Sequence, residues 1–169
     1  CNLSVKAIMG IAAFGKLLES LDMSDKAAHY INVAKDYAAQ WEKTAFDGDH
    51  YRLAFDQKDT WSLKYNMVWD KIFGWNIFDS KIFDTEISYY KGKFNKYGLP
   101  LDSRSDYTKS DWLMWTTRLT DDAEYLNMII NTMWDMLNQT VSRAPFTDWY
   151  FTSTAIQRGF QNRSVQGGL

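Results

Sequence analysis

Apolar residues recur at helical spacing along six stretches of the chain. In the first, residues 3–22, Leu3, Ala7, Ile8, Ile11, Ala12, Phe14, Leu17, Leu18 and Leu21 run nearly all the way round. That pattern predicts a helix buried on every side, with Asn2 or Ser4 at its cap. Gly10 and Gly15 leave room on it for a close neighbour. Residues 25–46 differ: Ala27, Ile31, Ala34, Ala38, Trp41 and Ala45 form one stripe, while Asp25, His29, Asn32, Asp36 and Lys43 face away. This is the pattern of an outer helix. Trp61 to Trp75 predicts a second inner helix, and Asp79 with Ser80 caps a fourth helix that runs to about Phe94. Ser110 to Leu119 predicts a short inner helix, and Asp121 or Asp122 caps an outer helix to Leu137.

Three long loops separate these pairs. The first opens Asp47-Gly-Asp-His-Tyr-Arg-Leu-Ala-Phe-Asp, and its alternation from His50 to Phe55 predicts a short strand or hairpin. The second runs from Tyr97 to Trp112, and the third from Gln139 to about Asn162. Loops this long inside a domain are uncommon unless functional or disordered, and their aromatic content argues against disorder. Trp61, Trp112 and Val165 follow the three loops in corresponding places, roughly 50 residues apart, which is the spacing of an internal repeat. The prediction is a single all-α domain over residues 1–169, with helical hairpins stacked into a toroid-like arc and the long loops at one end. A site would be built at that end. Three hairpins make part of a ring, so the arc is expected to belong to a larger protein. Its last residues, Gly167-Gly-Leu, are where a further inner helix would begin.

Composition narrows the function. Hydrophobic residues are 46%, charged residues 24% and aromatics 17%, which is a globular balance. The net charge is −2, and Lys and Arg never form a basic run, so no nucleic-acid partner is expected. No apolar run approaches the roughly 18 residues of a membrane span, and no signal peptide is visible. The single Cys1 excludes a disulfide framework and a cysteine zinc site. Asn2, Asn138 and Asn162 begin glycosylation-type sequons, of which Asn2 serves as well as a helix cap. Two histidines, His29 on a polar helix face and His50 in the first loop, have no ligand neighbour at useful spacing. No metal and no cofactor are expected.

The chemistry-bearing residues concentrate in the loops. Two carboxyl groups suffice to hydrolyse an amide or a glycosidic bond, one acting as acid and the other as base or nucleophile. Aromatic walls raise a carboxyl pKa, and a nearby cation lowers it. Asp102 beside Arg104, Asp111 beside Trp112, and Asp148 beside Trp149 offer both settings and are the catalytic candidates. Turn and cap roles suit Asp102 and Asp111 equally well. Asp49, Arg52, Arg104, Lys109, Trp149, Tyr150 and Arg163 are the substrate-binding candidates. Arg clamps a substrate carboxylate in bidentate fashion, and ion pairing with the neighbouring aspartates is the alternative for each cation. Trp149 and Tyr150, outside any predicted helix, favour a pocket wall over the core. Ser88-Tyr-Tyr-Lys91 matches a serine-amidase pattern but lies mid-helix without its companion motifs.

Several words of the sequence resemble the glutaminase A-type family of fungi and Bacteroides-like bacteria. They include Asn2-Leu-Ser-Val-Lys-Ala-Ile, Asp47-Gly-Asp-His-Tyr-Arg-Leu-Ala-Phe, Trp61-Ser-Leu-Lys-Tyr-Asn-Met-Val-Trp-Asp and Tyr97-Gly-Leu-Pro-Leu-Asp-Ser-Arg. Tyr107-Thr-Lys-Ser-Asp-Trp, Thr147-Asp-Trp-Tyr and Gly159-Phe-Gln-Asn-Arg-Ser-Val-Gln-Gly-Gly continue the series. The resemblance implies a portion of a six-hairpin glycosidase-like helical domain. It also implies hydrolysis of L-glutamine to glutamate and ammonia, an extracytoplasmic location, and the remaining domains of a longer protein as partners. A glycan-cleaving toroid and a non-catalytic helical module that packs on a neighbouring domain remain the alternatives.

Overall fold

The computed structural model describes residues 1–165. The helix expected at Gly167-Gly-Leu lies outside them. Three helical hairpins follow one another: α1 (Asn2–Ser20) with α2 (Ser24–Ala45), α3 (Val68–Phe73) with α4 (Ser80–Lys91), and α5 (Ser110–Thr116) with α6 (Ala123–Gln139). The helical repeat is therefore present. It is not purely helical, however: β1 (Tyr107–Lys109), β2 (Thr147–Phe151) and β3 (Gln157–Gln161) form an antiparallel sheet in that order. The predicted all-α class is corrected to helical hairpins with a small sheet. The sheet forms because both loop segments are rich in β-branched and aromatic residues and meet in register, Lys109 opposite Trp149 and Tyr107 opposite Phe151.

Each helix follows from local chemistry. On α1, Val5, Ile8, Met9, Ala12, Gly15 and Leu18 are buried, a three-to-four-residue spacing that makes one face. The opposite face, with Leu3, Phe14 and Leu17, is exposed, so the helix is not enclosed on every side as its pattern predicts. Gly15 allows the close approach of α2, because a Cβ there would stand 2.9 Å from Ile31 Cδ1. The stripe on α2 is buried as expected at Ala27, Ala34, Ala38, Trp41 and Ala45. Asp79 caps α4 by accepting from Lys81 N, and Asp122 caps α6 by accepting from Glu124 N and Tyr125 N.

The second inner helix is shorter than predicted. Residues 61–63 are drawn instead into extended pairing with the central loop, where Leu63 N donates to Leu101 O and Ser62 bridges Asp102. Gly74, left-handed at φ 64, ends α3. Buried Asp70 accepts backbone N–H groups from Ile77 and Phe78 and fixes the turn into α4. Likewise, the predicted strand at His50–Phe55 reduces to one bridge between Phe46 and Tyr51.

A buried ionic knot ties the first loop to α4. Lys64 Nζ donates to Tyr51 O at 2.7 Å and Ser62 O at 2.8 Å and lies 3.4 Å from Glu86 Oε2. Glu86 accepts from Tyr51 N and from the Tyr90 hydroxyl. Burial pushes the Lys64 ammonium below its ordinary pKa, against the opposing charge of Glu86. On the other side, the central loop is sewn to the sheet: Tyr97 N donates to Thr152 O, Thr152 N to Asp106 O, and Leu101 N to Tyr107 O. These bonds hold the loop-borne carboxylates in place.

Candidate functional site

Asp111 and Asp148 lie where β1 passes into α5 and faces β2. Asp148 on β2 is fully buried, and both of its oxygens are engaged. Lys109 Nζ donates to Oδ2 at 2.9 Å, and Arg163 donates from Nη2 to Oδ2 at 2.9 Å and from Nε to Oδ1 at 3.2 Å. Lys109 also stands over aromatic rings, 4.2 Å from the Phe160 centroid and 5.3 Å from that of Trp112. A buried carboxylate held by two cations is a rigid anchor. It fixes the position of the Lys109 ammonium.

Asp111, in the first turn of α5, has a contrasting environment. It is 5% exposed, and its Oδ1 has no hydrogen-bond partner among the described residues. Burial pushes its carboxyl above the ordinary carboxylate range, and the charge of Asp148 adds to the rise. The backbone N–H of Trp112 and the Lys109 charge oppose it. The ring of Trp112 stacks on Tyr65, centroids 4.4 Å apart. Burial raises the Tyr65 pKa, a hydrogen bond with Asn2 opposes the rise, and the charges of Asp111 and Asp102 add to it.

Asp102 is buried and clamped by its own loop. Arg104 donates to it from backbone N at 2.9 Å, from Nε at 2.9 Å and from Nη2 at 2.8 Å. Arg104 itself is largely exposed, and the bonds to Asp102 raise its pKa. The first-loop candidates form a separate group. Arg52 is bound to Asp47 at 2.7 Å, which pulls the Asp47 carboxyl down to about 2. Asp49 is exposed and accepts from His50 Nδ1, a bond that lowers its pKa. His50 is buried against the Tyr89 ring.

The structure thus brings together Asp111, Asp148, Lys109, Trp149 and Arg163, leaves Asp102 paired with Arg104 in the central loop, and leaves Asp49 and Arg52 in the first loop. Tyr150 is not a pocket wall. Its side chain is fully buried in a small core cluster with Tyr97 and Met136, and its hydroxyl donates to Tyr97 O at 3.1 Å. Arg52, Arg104, Lys109 and Arg163 all make ion pairs, the alternative role considered for each.

Arg158 is not among the sequence candidates. It is exposed on β3 and lies on the face of Trp149, 5.0 Å from the ring centroid, with no carboxylate in ion-pair reach among the described residues. The strand pairing that sets Gly159 opposite Trp149 puts it there, and that pairing is invisible in the sequence. Sizeable clefts open elsewhere. One of about 560 Å3, lined by Lys71, Asn76, Asp79, Phe83, Arg118 and other residues, lies at the hairpin turns. The orphaned polar chemistry is at Asp111, and that is the better guide to a site. Among the described residues no group of three or more His, Cys, Asp or Glu side chains could hold a metal ion. No described helix is long and apolar enough to cross a membrane.

Successive helical hairpins with loop-borne carboxylates and a small sheet define a helical-hairpin class of domain. The chain belongs to the family described as the glutaminase A six helical-hairpin domain, which it matches over residues 1–169. It is similar to Glutaminase A from Aspergillus oryzae, with 31% identity over 99% of this chain and 25% of that protein. It is also similar to a protein named Probable glutaminase from Arthroderma benhamiae, with 27% identity over 89% of this chain and 21% of that protein. The chain therefore spans about a quarter of the length of these curated relatives.

Proposed function

We propose that this domain carries a hydrolytic site for the side-chain amide of L-glutamine, yielding glutamate and ammonia. The carrying observation is the contrast between two neighbouring carboxyl groups. Asp148 is saturated by Lys109 and Arg163, whereas Asp111 keeps an oxygen without a partner and has a raised pKa. A carboxyl that takes up and returns a proton easily is what acid–base catalysis needs. In the reaction, a water oxygen attacks the amide carbon while Asp111 Oδ1 accepts its proton. Asp111 then gives that proton to the amide nitrogen, the C–N bond breaks, and ammonia leaves. Lys109, fixed by Asp148, places positive charge beside the centre where negative charge develops. Arg158, without a carboxylate of its own, is the residue assigned to hold the α-carboxylate. The names of the relatives support the same substrate.

A second reading, cleavage of a glycosidic bond, draws on the Tyr65–Trp112 stack beside paired carboxylates. The test gives the full-length protein L-glutamine on one hand and a panel of nitrophenyl glycosides on the other. Ammonia release with no sugar cleavage is the expected result. Sugar cleavage without ammonia moves the site to the second reading, and silence with both contradicts an enzymatic role.

A further inference from the structure

One face of α1 has the pattern of a covered surface, and no described residue covers it. Leu3, Ala7, Gly10, Phe14, Leu17 and, at the C-cap, Leu21 follow one another at steps of four and three in strict alternation. All six are exposed, Leu3 at 81%, Leu21 at 60% and Leu17 at 55%. Phe14 keeps one edge on Tyr30 of α2, ring centroids 4.8 Å apart. Alternate steps of four and three average 3.5 residues, which is the narrow seam along which one helix lies on another. At 1.5 Å per residue the seam runs roughly 27 Å, the length of a five-turn helix. A contiguous apolar stripe of this kind marks an interaction surface.

The seam borders a groove of about 280 Å3 between α1 and α3. Gly10 and Ala13 line it from α1, and Trp69, Phe73 and Trp75 from α3 and the turn that follows. Trp69 and Phe73 are exposed as well. The two glycines of α1 make an instructive contrast. At Gly15 an added Cβ would stand 2.9 Å from Ile31 Cδ1, so that notch is filled by α2. At Gly10 an added Cβ would meet no described atom within 4 Å. One helix thus carries two notches for close approach, and only one has its neighbour.

We propose that the seam and groove seat a further helix of the same polypeptide, from hairpins beyond the described residues, which lays an apolar stripe of its own along α1. The domain family is described by six helical hairpins, whereas the described residues form three, and the chain spans about a quarter of the length of its curated relatives. The seam itself holds no charged residue, so the facing stripe is apolar too. Ala7 and Gly10 let the two backbones approach at mid-seam, as Gly15 does toward α2. The proposal is independent of the reaction the domain catalyses.

Gly10→Ala in the full-length protein tests the seat through the sign of one shift. On an open helix face alanine is the better helix former, and the melting temperature would hold or rise. Under a seated helix the added methyl strains the contact, and the melting temperature is expected to fall by about 2–4 °C. Leu17→Glu, which an open face would tolerate, should lower it too. Both variants should keep the parent's molecular mass in light scattering. A Gly10→Ala protein as stable as the parent, or more so, overturns the proposal, and it decides the matter even if Leu17→Glu fails to fold. A parent dimer that either variant converts to monomer also overturns it, because the seam is then filled by a second copy.

Discussion

Asp111 should reduce the stability of the fold, and this can be measured separately from catalysis. Its carboxyl is 5% exposed, and its Oδ1 lacks a partner among the described residues. An orphaned buried polar group costs roughly 1–3 kcal/mol, and more if it is charged. Replacing Asp111 with Asn keeps the shape and an unpaired amide but removes the charge. The gain in stability at pH 7 is therefore placed at about 1 kcal/mol. The sign follows from the raised pKa of the folded state. A carboxyl that holds its proton more tightly when folded lets stability fall as pH rises, from the ordinary pKa through the raised one. The penalty is absent below the ordinary value and complete above the raised one. Urea unfolding followed by tryptophan fluorescence, at pH 3 and at pH 7, reads the difference. The Asn variant should be more stable at pH 7 and equal to the parent protein at pH 3. A variant less stable at pH 7, or a difference of the same size at both pH values, would mean that the buried Asp111 charge carries no such penalty.

Two further expectations concern the frame that holds the site. Lys64→Met strips the buried Glu86 of its counter-charge, removes the Lys64 donor from Tyr51 O, and leaves Ser62 O with the Tyr90 hydroxyl. It should cost about 3–5 kcal/mol in denaturant unfolding, and adding Glu86→Gln should restore part of that; a loss under 1 kcal/mol would mean the pair is not holding the first loop to α4. Gly15→Ala places a Cβ 2.9 Å from Ile31 Cδ1 and 3.3 Å from Ala27 O, so Ile31 must shift or the α1–α2 contact must open. A drop of about 1–3 kcal/mol is expected, visible as a lower melting temperature, whereas a more stable variant would show that α2 yields without strain.

The helices were legible because their signals are local. Asp79 and Asp122 stand as caps ahead of apolar stripes, and the alanine row from Ala27 to Ala45 marks one face in the sequence itself. The sheet was not legible. Its strands are three to five residues long, too short for alternation to stand out, and β1 and β2 meet only through tertiary folding. The same holds for the ion pairs. Arg104 with Asp102 is a two-residue step and could be anticipated, whereas Lys109 and Arg163 with Asp148 depend on strand register. The burial of Lys64 by Glu86, from a helix farther along the chain, left no local trace. Tyr150 illustrates the ambiguity of strand residues: in the same run as Trp149, it enters the core, and only the fold decides which neighbour does so.

In the proposed reaction Asp111 moves the proton between water and the amide nitrogen. The most direct measurement is ammonia release from L-glutamine by the full-length protein and its Asp111→Asn variant, with folding verified by the unfolding curves above. Loss of turnover by roughly 10²- to 10⁴-fold with the fold intact is the predicted result. A folded variant that releases ammonia at the parent rate would contradict it.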